Sequence, residues 1–217
     1  MTKTSPRCLT SGVAGWLLLA AVLPMLSGCF GAAAVGFGAG ALMAADRRPS
    51  ETYVTDEGIE LRAANRIRDK FGDKASVHVS SFNRSVLLTG SVADAAAKAE
   101  VERLASSVPN VKAISNEVEI AGASSSYTDD AYITTKVKAR FIDSNTFAAN
   151  HVRVVTQAGV VYLMGMVTKR EADSAVEIAR TTAGVRKVVR VFEYIGEEQA
   201  RLSSTPPAET KPAAAKP

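Results

Sequence analysis

Apolar positions along this chain fall into two patterns that follow one another and then repeat. Ile59, Ala63 and Ile67 stand at i, i+4 and i+8, as do Ile133, Val137 and Phe141, the spacing that lines one face of a helix. After each set come two Val- and Leu-rich runs with partial alternation, the pattern of a β-hairpin. The first hairpin turns at Asn83-Arg84-Ser85 and the second at Gln157-Ala158-Gly159. The second arms read Val86-Leu87-Leu88-Thr89-Gly90-Ser91-Val92 and Val161-Tyr162-Leu163-Met164-Gly165-Met166-Val167, so Gly90 matches Gly165. A glycine there is expected to take a backbone geometry that other residues resist, where strand becomes helix. A second helix is predicted from about Ala93 to Ser107 and from about Lys169 to Thr182, the latter opening with Thr168 and Glu171 at capping-box spacing. Val111, Ile114 and Val118, matched by Val185, Val188 and Phe192, close each copy with a strand. The order is αββαβ, twice.

Two copies of a unit of roughly 65 residues are too few and too long for a solenoid. The predicted fold class is α+β, with two tandem domains that each pack two helices on a small mixed three-stranded sheet. The domains are placed at residues 56–120 and 128–195, joined by a linker at 121–127 that contains Gly122, Ser124, Ser125 and Ser126. Each domain is small and expected to be only marginally stable alone. Residues 196–217 consist mainly of Ser, Thr, Pro, Ala, Glu and Lys, too few of them apolar to fold, and this tail is expected to be disordered.

The amino terminus changes the picture. Lys3 and Arg7 precede an apolar run, Val13 to Leu26, broken by Pro24 and short for a membrane span. Residues 1–28 thus read as a signal peptide. It ends in Leu26-Ser27-Gly28-Cys29, which resembles the lipobox of bacterial lipoproteins and makes Cys29 the expected lipid attachment. Three acyl chains exceed the two signals that stable anchoring needs, at roughly 0.8 kcal/mol per buried CH₂. Residue 30 is Phe rather than the Asp that usually retains such lipoproteins at the inner membrane, so the expected location is the outer membrane, facing the periplasm. Residues 29–55 form a leader. Its Gly/Ala stretch reads either as a flexible apolar segment beside the anchor or, through Gly36 and Gly40, as a small-xxx-small helix contact in lipid.

Chemistry is sparse in what remains. Cys8 leaves with the signal and Cys29 is capped, so no thiol remains for a disulfide, a metal or a nucleophile. The two histidines, His78 and His151, have no ligand or triad partner at a recognisable spacing. No glycine-rich phosphate loop is present. Neither an enzyme nor a cofactor or metal is expected.

Charge separates the copies. Residues 56–120 carry nine Lys or Arg against ten Asp or Glu, whereas 128–195 carry ten against seven. An exported basic domain meets anionic lipid rather than nucleic acid. On a helical wheel, Tyr132, Thr135, Ala139 and Ile142 form a stripe turned away from Ile133, Val137 and Phe141, and Lys136 and Lys138 flank it. Such a face fits a helix lying on a charged membrane, and equally a helix packed on the other domain or the linker. The positions matching Tyr132, Ala139 and Ile142 in the first copy are Gly58, Asn65 and Arg68, which predicts that only the second copy carries the stripe.

The αββαβ unit, with Thr128-Asp-Asp-x-Tyr-Ile-Thr-Thr-Lys-Val137, Val161-Tyr-Leu-Met-Gly165 and Gly184-Val185 followed by Val188, resembles a BON domain (bacterial OsmY and nodulation domain). Two such units behind a lipobox resemble the dual-BON outer-membrane lipoproteins. The resemblance covers about residues 26–195. It implies a non-catalytic protein whose second domain binds anionic phospholipid through its first helix, with an aromatic, commonly Trp, where Tyr132 stands. It also implies links to outer-membrane integrity, the division site and envelope assembly proteins such as the β-barrel assembly machinery.

Overall fold

Behind Pro49, helix α1 (Ser50–Phe71) buries Ile59, Ala63 and Ile67 on one side. It is followed by β1 (Ser76–Phe82), β2 (Ser85–Val92), α2 (Ala95–Ser106), β3 (Ala113–Asn116) and β4 (Glu119–Ile120). The second copy runs α3 (Tyr127–Ser144), β5 (Val152–Gln157), β6 (Val160–Val167), α4 (Lys169–Arg180) and β7 (Lys187–Tyr194), with a closing helix α5 (Glu197–Ser204). This computed structural model describes residues 47–120 and 127–204, all within one compact unit. The expected signal peptide, Cys29, the Gly/Ala stretch, linker residues 121–126 and the tail beyond 204 lie outside the described residues.

The αββαβ order is present twice. In each copy the hairpin is antiparallel, and its second strand also pairs in parallel with the last strand, which makes a mixed sheet with β2 or β6 in the middle. A parallel return needs a crossover, and α2 and α4 supply it. Val86, Leu88 and Val92 pack under α1 and α2, as Val161, Leu163 and Val167 pack under α3 and α4. In the first copy the last strand is interrupted. The Asn116 side chain accepts from the Val118 N–H at 3.3 Å and donates to Lys98 O at 3.1 Å, drawing the chain out of the ladder between β3 and β4. The tail also departs from expectation, because residues 197–204 form α5 and bury Ala200.

The two matched glycines stand within β2 and β6, not at the strand-to-helix corner as expected. A side chain on Gly90 would run into the backbone carbonyl of Ser76, and one on Gly165 into that of His151. Close approach of the neighbouring strand is therefore the shared reason for glycine. Only Gly90 adds a left-handed backbone, at φ 116°.

A buried aspartate on the first helix of each copy holds the hairpin turn. Asn83 and Arg84, and likewise Ala158 and Gly159, have positive φ, the pairing of a tight two-residue turn. Asp56 accepts from the N–H groups of Asn83 and Arg84 at 2.8 and 2.7 Å. Asp130 accepts from those of Ala158 and Gly159, both at 2.8 Å. Removing the carboxylate strands two donors in a part-buried site, so Asp130→Ala is expected to cost about 3 kcal/mol. Urea denaturation reads this as a lowered midpoint at unchanged slope.

The copies also pack on each other. β6 is apolar on both faces, its second face carrying Tyr162, Met164 and Met166, which cluster with Phe82 and Leu87 of the first copy and with Ile195 and Ala200. The matching positions of β2 are Leu87, Thr89 and Ser91, so the first copy's sheet has no such face. Polar contacts ring the cluster. Arg153 donates to Glu60 and to Ser81 O at 2.8 and 2.9 Å, and Glu193 accepts from Asn83 and Lys112 at 2.7 and 3.0 Å.

Two consecutive arginines complete this contact. Arg47 forms a bidentate pair with Glu171 at 2.7 and 2.8 Å and donates to Met166 O at 3.0 Å, all in the second copy. Arg48 pairs with Asp56 at 2.9 Å and lies 4.1 Å over the Phe82 ring, both in the first. Burial pushes the Glu171 carboxyl up, but Arg47, the Thr168 N–H and nearby His151 outweigh it and hold the group down to about 2. A depressed carboxylate contributes stability that is present above its unfolded value and lost as pH falls through its folded one. Thermal scans are therefore expected to show wild type losing stability relative to Glu171→Gln only between about pH 4.5 and pH 2.

Candidate functional site

Helix α3 carries the predicted stripe. Asp129 and Asp130 in its first turn suit the positive end of the helix dipole, and Ile133, Val137 and Phe141 bury one side in the second core. On the other side Tyr132 is 65% exposed and Ile142 68% exposed, with Thr135, Lys138 and Ala139 exposed as well. Neither Tyr132 nor Ile142 is covered by the other copy, which removes the alternative that they pack there.

The two lysines differ. Lys138 is exposed, whereas half-buried Lys136 folds back, its Nζ 4.9 Å from the Tyr132 ring centroid and donating to Ala183 O at 2.8 Å. This fixes the ring and ammonium as one unit. Beside them lies a groove of about 530 Å³, bounded by Tyr132, Lys136, the Ala158-Gly159 turn, Gly184 and Arg186. Gly184, at φ 99°, lets its loop close on α3, since a side chain there would press on Ile133. Arg186 donates to Ala158 O at 3.1 Å and faces the groove. Sequence reading missed Arg186. The only signal for it was the excess of cations in the second copy.

The first copy is less bare than its matched positions imply. Val54 is 70% and Leu61 64% exposed on one side of α1, separated by Gly58. Leu61 corresponds to Thr135, a position the comparison of three residues passed over. Outward apolar side chains are therefore present on α1 as well, without the flanking lysines that α3 combines with Tyr132. The α1 face mixes both signs, with exposed Glu51 and Glu57 near Val54 and the Arg62 guanidinium beside Gly58, whereas Lys136 and Arg186 stand beside Tyr132 with Asp129 in the same groove.

The buried groups with large pKa shifts lie between the copies, away from the groove. Burial pushes the Tyr162 phenol up to about 12, with Glu117 and Glu119 adding to the effect. His151, which showed no partner by spacing, is buried with Nδ1 3.6 Å from Glu171. Among the described residues no group of three or more side chains is placed to hold a metal, and no helix is long and apolar enough to cross a membrane.

The BON domain model matches residues 55–122 and 129–196. The outer membrane lipoprotein DolP of Haemophilus influenzae is 33% identical over 183 residues, 82% of this chain and 94% of that protein. The 21 kDa hemolysin of Actinobacillus pleuropneumoniae is 34% identical over 155 residues, 69% of this chain and 79% of its own length. Osmotically-inducible protein Y of Escherichia coli is 27% identical over 142 residues, 63% and 71%.

Proposed function

From a chain that belongs to the BON domain family, with two copies of the domain, we propose an outer-membrane lipoprotein, anchored through Cys29, that binds anionic phospholipid through α3. Its role is support of outer-membrane integrity at the periplasmic face, including the division site. The observation that carries the reading is the uncovered face of α3, where Tyr132 and Ile142 stand exposed on a helix that also carries Lys136 and Lys138, with Arg186 across the groove from Tyr132. Tyr suits such a boundary, its ring among acyl chains and its hydroxyl among headgroups. Thr135 and Ala139 are small enough to let the helix lie flat. Similarity to an outer membrane lipoprotein over most of both chains supports the location.

A specific observation favours a second reading. The exposed Val54 and Leu61 of α1 offer a surface for a non-catalytic adaptor docking on an envelope assembly complex such as the β-barrel assembly machinery. Residues 46–217, which hold every described residue, separate the two when mixed with vesicles. Binding to vesicles containing phosphatidylglycerol, absent on neutral vesicles and weakened by salt, is expected. Exposed charges are screened over about 8 Å at physiological ionic strength. Equal binding to neutral vesicles, or none to anionic ones, removes the lipid reading and leaves the adaptor.

A further inference from the structure

We propose that a groove between the two copies, with the hydroxyl of Tyr162 at its floor, binds a small zwitterion that joins a primary ammonium to a phosphate monoanion, the chemistry of a phosphoethanolamine group. The inference is independent of the reading of α3.

The groove has a volume of about 650 Å³ and takes Lys98, Glu117 and Glu119 from the first copy and Tyr162, Arg186 and Lys187 from the second. Three cations and two carboxylates thus line one space. Among the described residues none of these five groups is in an ion pair, so the groove holds both signs without letting them neutralise each other. Tyr162 is only 4% exposed, its ring part of the apolar cluster between the copies. Its hydroxyl makes no hydrogen bond to a described residue, although a buried phenol ordinarily finds a partner. Glu117 and Glu119 both act on that phenol, so their carboxylates lie within electrostatic reach of it.

The polar groups are particular to this contact. Tyr162 stands where the first copy has Leu87, and Glu117 stands where the second has Val191. The last strand of the first copy is broken here, with the Asn116 side chain bonded to the Val118 N–H and to Lys98 O, whereas β7 runs unbroken along β6. An interruption of a ladder re-aims the side chain at that point. It brings Glu117 to the groove and ties down the turn of α2 that carries Lys98.

Recognition follows from the donor set. A primary ammonium has three N–H donors, which the carboxylates of Glu117 and Glu119 and the Tyr162 oxygen accept. A phosphate monoanion takes Lys187 and the planar donors of Arg186, one of which already bonds Ala158 O. An anion alone would meet two carboxylates and a cation alone three basic groups. Neither half is held as well as the whole.

The test follows backbone amide shifts of residues 46–217, the unit that holds every described residue, on titration with glycerophosphoethanolamine. Saturable shifts around Tyr162, Glu119 and Lys187 are expected, with ethanolamine and glycerophosphoglycerol each about tenfold weaker. Glu117→Gln should weaken binding about tenfold and Tyr162→Phe about fivefold. Since the lost hydroxyl has no partner in the protein, Tyr162→Phe should leave the urea midpoint unchanged or raised. Absence of saturable shifts, equal binding of the three compounds, undiminished binding by the variants, or a lowered Tyr162→Phe midpoint overturns the site. Phosphatidylcholine vesicles with and without phosphatidylethanolamine separate the two sources of this chemistry. Binding that requires phosphatidylethanolamine and is lost in Glu117→Gln supports the site and identifies a lipid headgroup. Binding of the soluble compound alone supports it and identifies a free solute.

Discussion

Tyr132→Glu together with Ile142→Glu is expected to abolish binding of residues 46–217 to vesicles containing phosphatidylglycerol while leaving the unfolding midpoint unchanged. Both side chains are about two-thirds exposed and touch neither core, so their replacement removes little native packing. Each cation near an anionic leaflet is worth about 1 kcal/mol, so exposed Lys138 together with Lys136, whose ammonium is already bonded to Ala183 O, supplies at most about 2 kcal/mol, or roughly thirtyfold. That is too little for a stable complex, and the apolar pair must add the rest. Two carboxylates in their place lose the insertion and oppose the leaflet's charge. The exposed apolar residues of α1 make the stringent control: Val54→Glu with Leu61→Glu should bind as wild type does. Heteronuclear NMR titration decides the matter. Undiminished binding by the α3 variant, or loss of binding by the α1 variant instead, refutes the assignment of the surface.

Gly165→Val is expected to lower the stability of the second domain by about 3 kcal/mol or more. Gly165 pairs with Val152 in the antiparallel hairpin, and any Cβ there would collide with the His151 carbonyl. The obstacle is backbone at the turn that leads into β5, which cannot swing aside as a long side chain can. The same displacement would disturb His151 and, through it, the Glu171 contacts between the copies. Gly90→Val should behave alike in the first domain, with the left-handed φ adding strain that Gly165 does not have. Against a typical stability of about 5–15 kcal/mol, either change approaches unfolding. Urea denaturation followed by circular dichroism reads it, and a Gly165→Val midpoint within error of wild type would contradict the close approach.

The element order, the core faces and the outward stripe were all legible in the sequence, because periodicity belongs to neighbouring residues. Ile133, Val137 and Phe141 announce a helix and its buried side, and so by subtraction where Tyr132 and Ile142 point. The same local logic misjudged residues whose role depends on distant partners. The matched glycines were read as a corner between strand and helix, whereas each is required by a backbone carbonyl of the segment alongside, Ser76 O in β1 for Gly90 and His151 O just before β5 for Gly165. Asp56 and Asp130 were visible as a repeat, yet their work on turns more than twenty residues away was not.

What tertiary structure alone decided is how the two copies and the leader meet. Met164 and Met166 face the opposite side of β6 from Leu163, and what covers them follows only once Phe82, Leu87 and Ala200 are brought there by the fold. Arg47 finds Glu171 across 124 positions of chain, and Arg186 comes beside Tyr132 only because a parallel strand returns past the hairpin turn. A sequence pattern encodes which side of an element is apolar, since burial acts on every turn or alternate residue in the same way. A pairing of two charges is encoded once, at two distant positions, and has no period by which it could be read.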